Sequence, residues 1–149
     1  DELKQAIHLL NQPEYSPLWQ EGSNPNYYPL VKAGERFPIA DSHLKSRLPA
    51  RPKAESQTQK LEFLVAILQG LANVEQLGYQ RLQALGSSPV LQVFSVGGGT
   101  QNPIWQQLRK DYLGVPFCQP DSLDAAFGVT RLVSHFYFNY TFNNSLIAH

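Results

Sequence analysis

Gly97, Gly98 and Gly99 stand together and are followed by Thr100, Gln101, Asn102 and Pro103. Glycine has no Cβ, so a backbone built from it approaches a flat or charged ligand closely and reaches positive φ at no steric cost. Asn102 followed by Pro103 reads as a helix start. Asparagine caps the first turn, and proline suits the first helical position because its missing N–H has no partner there anyway. A helix N-terminus beside glycine amides carries unpaired donors and a partial positive charge, which suits phosphate. The same pattern also serves a tight strand-to-helix turn in which the glycines supply geometry alone, and the stretch by itself leaves both readings open. It matches neither common phosphate fingerprint. Asn102 stands where a dinucleotide fold has its third glycine, and no Gly-Lys-Ser/Thr follows as a P-loop requires.

The elements that must position this turn are legible on both sides of it. Residues 90–96, VLQVFSV, form a short apolar run expected to be a strand buried on both faces. Ile104, Leu108 and Tyr112 recur every four residues with Trp105 alongside, and Gly114 offers a left-handed C-cap, so a helix is predicted over 103–113. Upstream, Ser56-x-x-Gln59 resembles a capping box. Leu61, Leu64, Leu68, Leu71 and Val74 then make an apolar stripe that Phe63, Val65 and Ile67 widen, which predicts a long helix over 56–85 covering a sheet. Gly70 and Gly78 within it signal close packing or a kink. Helix, strand, glycine turn and helix in that order define an α/β chain with helices on a small sheet.

The flanks are less regular. Residues 1–11 form an amphipathic helix that Pro13 stops. From 15 to 53, frequent prolines forbid long regular structure, whereas Tyr15, Trp19, Tyr27, Tyr28 and Phe37 are too many aromatics for a disordered linker. An ordered excursion packed on a neighbour is expected. Tyr27, Tyr28, Glu35 and Arg36 are its candidates for substrate or partner contact, set against a simple pinning role. Arg47, Arg51 and Lys53 read as a solvated basic face. After Gly114, residues 115–118 suit an edge strand because of Pro116, with Cys118 a small buried hydrophobe. Asp121 is expected to cap a last helix over 122–133. The tail, 134–149, alternates Phe136, Phe138, Tyr140 and Phe142 with smaller residues and suits a strand or an adhesive terminal segment.

Composition excludes several classes. The 149 residues carry 12 basic and 12 acidic side chains, so no general attraction to nucleic acid or to an anionic membrane follows. One cysteine cannot make an intramolecular disulfide and suits a reducing, cytoplasmic setting. No apolar run approaches the roughly 20 residues of a membrane span. The four histidines fall in no metal-ligand spacing, so no protein-built metal site is expected. There is no methionine even at the start, and the chain is expected to be a piece of something longer.

Residues 96–105, VGGGTQNPIW, then Gln107, Asp111, Leu113-Gly114-Val115-Pro116 and Asp124-Ala125-Ala126-Phe127-Gly128 resemble the adenosine-motif region of FGGY carbohydrate kinases. The upstream stretches 68–72 and 78–82 are similar to the helix that precedes that motif. Tyr27-Tyr28-Pro29-Leu30 with Gly34-Glu35-Arg36-Phe37-Pro38 resembles the ribulokinase- and xylulokinase-like subgroup of plants and cyanobacteria. The resemblance implies a ribonuclease H-like, actin-type ATPase fold, with residues 1–133 part of the C-terminal lobe and 134–149 an atypical tail. It implies Mg-ATP as phosphoryl donor, a pentulose such as ribulose or xylulose as acceptor, and Gly97, Gly98, Gly99, Gln101 and Asn102 as nucleotide contacts. The phosphate loops and catalytic aspartate of the family lie outside this stretch, so no residue here receives a catalytic role. Sugar would be held only together with the missing lobe, and a second copy or a partner chain would cover the exposed half of the core. The alternative is a non-catalytic nucleotide-binding or interaction module.

Overall fold

The computed structural model describes residues 2–20, 26–51, 56–122 and 124–145. Among these the chain runs through α1 (Glu2–Leu10), α2 (Pro17–Gln20), α3 (Gln57–Ala84), β1 (Val93–Phe94), a 3-10 turn (Gly98–Gln101), α4 (Pro103–Leu113), β2 (Phe117–Cys118) and α5 (Ala125–Ser145). β1 and β2 pair in parallel, Val93 opposite Phe117 and Phe94 opposite Cys118, with α4 as the crossover.

Local chemistry explains most helix ends. Ser56 closes its capping box in both directions: its hydroxyl accepts from Gln59 N at 3.2 Å, and the Gln59 side chain accepts from Ser56 N at 3.4 Å. Asn102 Oδ1 accepts from Trp105 N at 3.1 Å, and Gly114 ends α4 at φ 64°. The start of α5 differs from expectation. Asp124, not Asp121, takes the first turn, accepting from Ala126 N at 2.9 Å, while Asp121 pairs with Arg131 at 3.0 Å in solvent. The helix also continues to Ser145, across the segment expected to be strand or tail. Neither proline nor glycine follows Gly128 to stop it, and extending a formed helix needs no new nucleus, whereas a strand needs a neighbour to pair with.

The core is helical. Leu10, Leu61, Val65, Ile104 and Leu108 are buried together, with Ile7, Tyr15, Leu18 and Trp19 packed against them. Trp19 Nε1 donates to Leu10 O at 2.8 Å and so locks α2 to the end of α1. The long helix α3 therefore packs on other helices and on the excursion rather than mainly over a sheet. Leu71, expected in its stripe, is exposed. The strand is also shorter and less covered than its apolar run suggests. Val93 is buried, but Leu91, Phe94 and Val96 lie 78%, 53% and 60% exposed, because β1 has a neighbour on one edge and, among the described residues, no layer covers these side chains.

Over residues 26–51 the excursion takes a defined path, as its aromatics imply. Tyr28 and Arg47 exchange two backbone bonds at 2.8 and 2.9 Å, and Glu35 and Asp41 exchange two at 2.8 and 3.1 Å. Asn73 Nδ2 on α3 donates to Tyr27 O at 3.2 Å. A Cβ on Gly70 would stand 2.6 Å from Pro29 Cδ and 3.3 Å from Tyr27 Cβ, so this glycine is where the excursion lies against α3. Gly78 is approached less closely, with Phe37 Cε1 at 3.2 Å. Lys53, part of the expected basic face, lies outside the described residues.

Gly70→Ala must displace a proline ring, a cost of about 1–3 kcal/mol for overpacking, against a helix-propensity gain of roughly 1 kcal/mol. A lower urea midpoint is expected for Gly70→Ala. An unchanged or higher one is expected for Gly78→Ala, because the half-exposed Phe37 ring can swing away. Tyr28 is fully buried, and its Oη has no hydrogen-bond partner among the described residues. Burial first and Glu35 second push its phenol above the ordinary value, with Arg47 opposing. The unfolded chain therefore loses this proton first, so stability is lost as pH rises from the ordinary tyrosine value through the raised one. Tyr28→Phe should unfold at the same or a higher temperature at neutral pH, and should lose less stability under alkali.

Candidate functional site

β1 delivers the chain through Ser95 and Val96 to Gly97, which adopts φ 84° and ψ −177°, a region that only glycine enters readily. Thr100 then staples the turn: its hydroxyl and its N–H both donate to Gly97 O, at 2.8 and 3.2 Å. Asn102 N donates to Gly99 O at 3.2 Å, and α4 begins.

The other two glycines answer no such demand. Neither has positive φ. A Cβ on Gly98 would meet nothing within 4 Å, and one on Gly99 would make ordinary contact with Trp105 Nε1 at 3.5 Å. The backbone of the turn is thus bare on its outer side without an internal reason.

The end of α4 beside it is less open than the sequence implies. Pro103 has no N–H, and Trp105 N is taken by Asn102 Oδ1, so Ile104 N is the remaining first-turn donor. The turn continues into a cleft of about 540 Å³ lined by Thr100, Gln101, Gln107, Lys110, Cys118 and Gln119 among others. Of the sequence-predicted contacts, Gln101 lines this cleft, Gly97, Gly98 and Gly99 lead into it, and the Asn102 side chain is committed to its cap. Cys118 is half-buried, its thiol 3.5 Å from Gln92 Oε1. A cleft of about 620 Å³ between α1 and the start of α3 holds none of the predicted nucleotide contacts, and Arg51 of the basic run lines it. Glu35 spends its carboxylate on Arg36 N and Phe37 N, at 2.8 and 3.4 Å, which gives it a pinning role within the excursion. Among the described residues no three His, Cys, Asp or Glu side chains cluster as metal ligands, and no helix is long and apolar enough to cross a membrane.

Behind the turn lies a group that sequence reasoning missed. Arg109 on α4 grips Glu75 on α3 through two bonds, Nε to Oε2 at 2.6 Å and Nη2 to Oε1 at 2.7 Å. Its Nη1 donates to Ser95 Oγ at 2.6 Å. The guanidinium also sits 5.5 Å from the Trp105 ring centre and 4.9 Å from that of Phe117. The bonds to Glu75 hold the guanidinium above its usual pKa against the opposing effect of burial, with the Glu75 charge adding to them. A signal existed: Trp105, Arg109 and Tyr112 share a helical face, and an arginine there needs a partner. Glu75, 34 residues upstream, gives no local sign of being that partner.

Residues 8–132 match the FGGY family of carbohydrate kinases, C-terminal domain, and the chain belongs to that family. Among curated proteins it is similar to the xylulose kinase of Bacillus subtilis (strain 168), 32% identical over 103 residues, which cover 69% of this chain and 19% of that protein. The chain thus spans about a fifth of the relative's length.

The geometry separates the glycines by stability. Gly97→Ala should cost about 1–3 kcal/mol because it forces a side chain into a glycine-only conformation. Gly98→Ala should be neutral or gain about 0.4–1 kcal/mol through the unfolded state. Chemical denaturation of the two variants checks this.

Proposed function

We propose that this chain is part of the nucleotide-binding lobe of an ATP-dependent carbohydrate kinase, with residues 1–133 contributing to the lobe and the glycine turn receiving the adenosine end of ATP. The observation that carries this reading is the pair Gly98 and Gly99, where neither backbone conformation nor packing within the chain requires glycine, but a ligand lying on the backbone would. The fit favours the neutral end of the nucleotide. Asn102 and Pro103 close most of the α4 N-terminus against phosphate, while the amide side chains of Gln101, Gln107 and Gln119 offer the donors and acceptors that a base or ribose takes up. Gly97, Gly98, Gly99, Gln101 and Asn102 are the proposed contacts, the last through its backbone.

Family membership supports the wider reading, in which the whole protein carries the actin-type ATPase fold and transfers the γ-phosphoryl group of Mg-ATP to a sugar hydroxyl. The name of the relative supports a pentulose acceptor such as xylulose. Phosphoryl transfer rests on positioned phosphates, a base for the acceptor hydroxyl and metal-held charge. Among the described residues no carboxylate lines the cleft beside the turn, and in this proposal those parts, the Mg ligands among them, come from outside the chain.

A second reading, a nucleotide-binding or interaction module that docks on a partner or a second copy, is favoured by exposed apolar surface. Leu91, Phe94 and Val96 lie exposed around β1, and Phe127, Val129, Leu132 and Phe136 lie exposed on α5. Exposed large apolar side chains, where they gather into a patch, mark interaction sites.

Titration of ATP and of ADP into the chain, followed by amide NMR, tests the first reading. Shifts gathered at residues 97–102, weakened by Gly98→Ala and abolished by Gly98→Val while both variants stay folded, are expected. A wild-type chain that shows no shifts at millimolar nucleotide would leave the interaction module as the better account.

A further inference from the structure

The Arg109 guanidinium contacts residues on both sides of the glycine turn. It bonds Ser95, two residues before Gly97, and it stacks near Trp105, whose indole nitrogen lies beside Gly99. Through the fork on Glu75 it refers both ends to α3, and through Phe117 it reaches β2, which lines the cleft. Four separate elements meet at one planar cation. The side chains of Arg109 and Glu75 are 14% and 22% exposed, so the pair is shielded enough to hold a fixed geometry rather than exchange with water.

A salt bridge serving only to join two helices would not need the third bond. Glu75 already satisfies two donors of the fork, and the apolar contact of Leu61, Val65, Ile104 and Leu108 already holds α3 to α4. What the Ser95 bond adds is a tie between that rigid helix pair and the strand end that launches the turn. The strand itself is only two residues long and its Phe94 is exposed among the described residues, so its own pairing constrains the turn weakly. We propose that Arg109 is a positioning residue for nucleotide binding: held by Glu75, it fixes Ser95 and Trp105 so that the bare face of residues 97–101 stands ready-shaped toward the cleft. The proposal rests on the adenosine reading for its ligand, but not for the claim that Arg109 sets the shape of the turn.

The test uses Ser95→Ala, which removes the tie while leaving the Glu75 fork and the helix contact in place, beside Arg109→Lys and Arg109→Gln. Three quantities are read for each: the unfolding temperature, the nucleotide-free amide shifts of residues 97–101, and the ATP dissociation constant. Ser95→Ala should unfold within about 3 °C of wild type, yet move the amides of residues 97–101 and raise the dissociation constant roughly 3- to 10-fold. Arg109→Lys keeps the charge but cannot hold Glu75 and Ser95 at once, and should not restore affinity or shifts. If Ser95→Ala leaves the turn amides and the affinity as in wild type, or Arg109→Lys restores both, Arg109 is a helix staple and the proposal falls. Should wild type fail to bind ATP, the adenosine reading fails by itself, and the nucleotide-free shifts still decide whether Arg109 shapes the turn.

Discussion

Helices α3 and α4 meet through Leu61 and Val65 on one side and Ile104 and Leu108 on the other, and the partly buried Glu75–Arg109 pair lies along the same seam. The two kinds of contact do different work. Full burial of each aliphatic side chain stabilises by about 1.5–3 kcal/mol, so the apolar contact holds the helices together. An ion pair at this depth gives back much of its Coulomb energy as desolvation and adds little net stability. Its value lies in direction: a fork on a carboxylate allows one register, whereas leucine on isoleucine tolerates several. The Gln76 side chain donating to Tyr112 O adds a second directional bond along the seam.

Everything else is arranged around that helix pair. α1 and α2 close its lower end through Leu10 and Trp19. The proline-rich excursion lies along another face of α3, where Gly70 allows the Pro29 ring into contact and Tyr28 is buried behind it. The parallel strand pair projects from the α4 side, and the glycine turn and its cleft sit at the joint between strand and helix. The candidate site is therefore a loop carried on a rigid base, the arrangement in which a ligand finds its contacts already in place and little ordering entropy is spent on binding.

The described sheet is small for the apolar run that feeds it. The chain spans about a fifth of its xylulose kinase relative, and Leu91, Phe94 and Val96 lie exposed in and beside β1 of a two-stranded sheet. An apolar strand with one neighbour has the pattern of an interior strand in a larger sheet. The expectation of burial on both faces came from that pattern, and the exposed side chains are where the structure departs from it.

Local rules were legible wherever a few adjacent residues decide the outcome. The Ser56–Gln59 capping box, the Asn102-Pro103 start, the Gly114 stop and the glycine turn between strand and helix all depend on backbone groups within one turn of each other, and the sequence by itself determined them. It also carried the family resemblance, since that lives in the same short stretches. The capping role given to Asp121 failed because Asp124, three residues on, offers the same chemistry. The strand reading of the tail failed over residues 134–145 because alternating aromatics say nothing of whether a neighbouring strand exists. Only the tertiary structure decided which glycines are structural, because that depends on atoms brought from elsewhere: Gly70 is pressed by Pro29, whereas Gly98 faces open space. It alone decided that Arg109 joins Glu75 and Ser95, residues 34 and 14 positions away. Pairings at that distance are set by how two helices pack, and no local pattern encodes them.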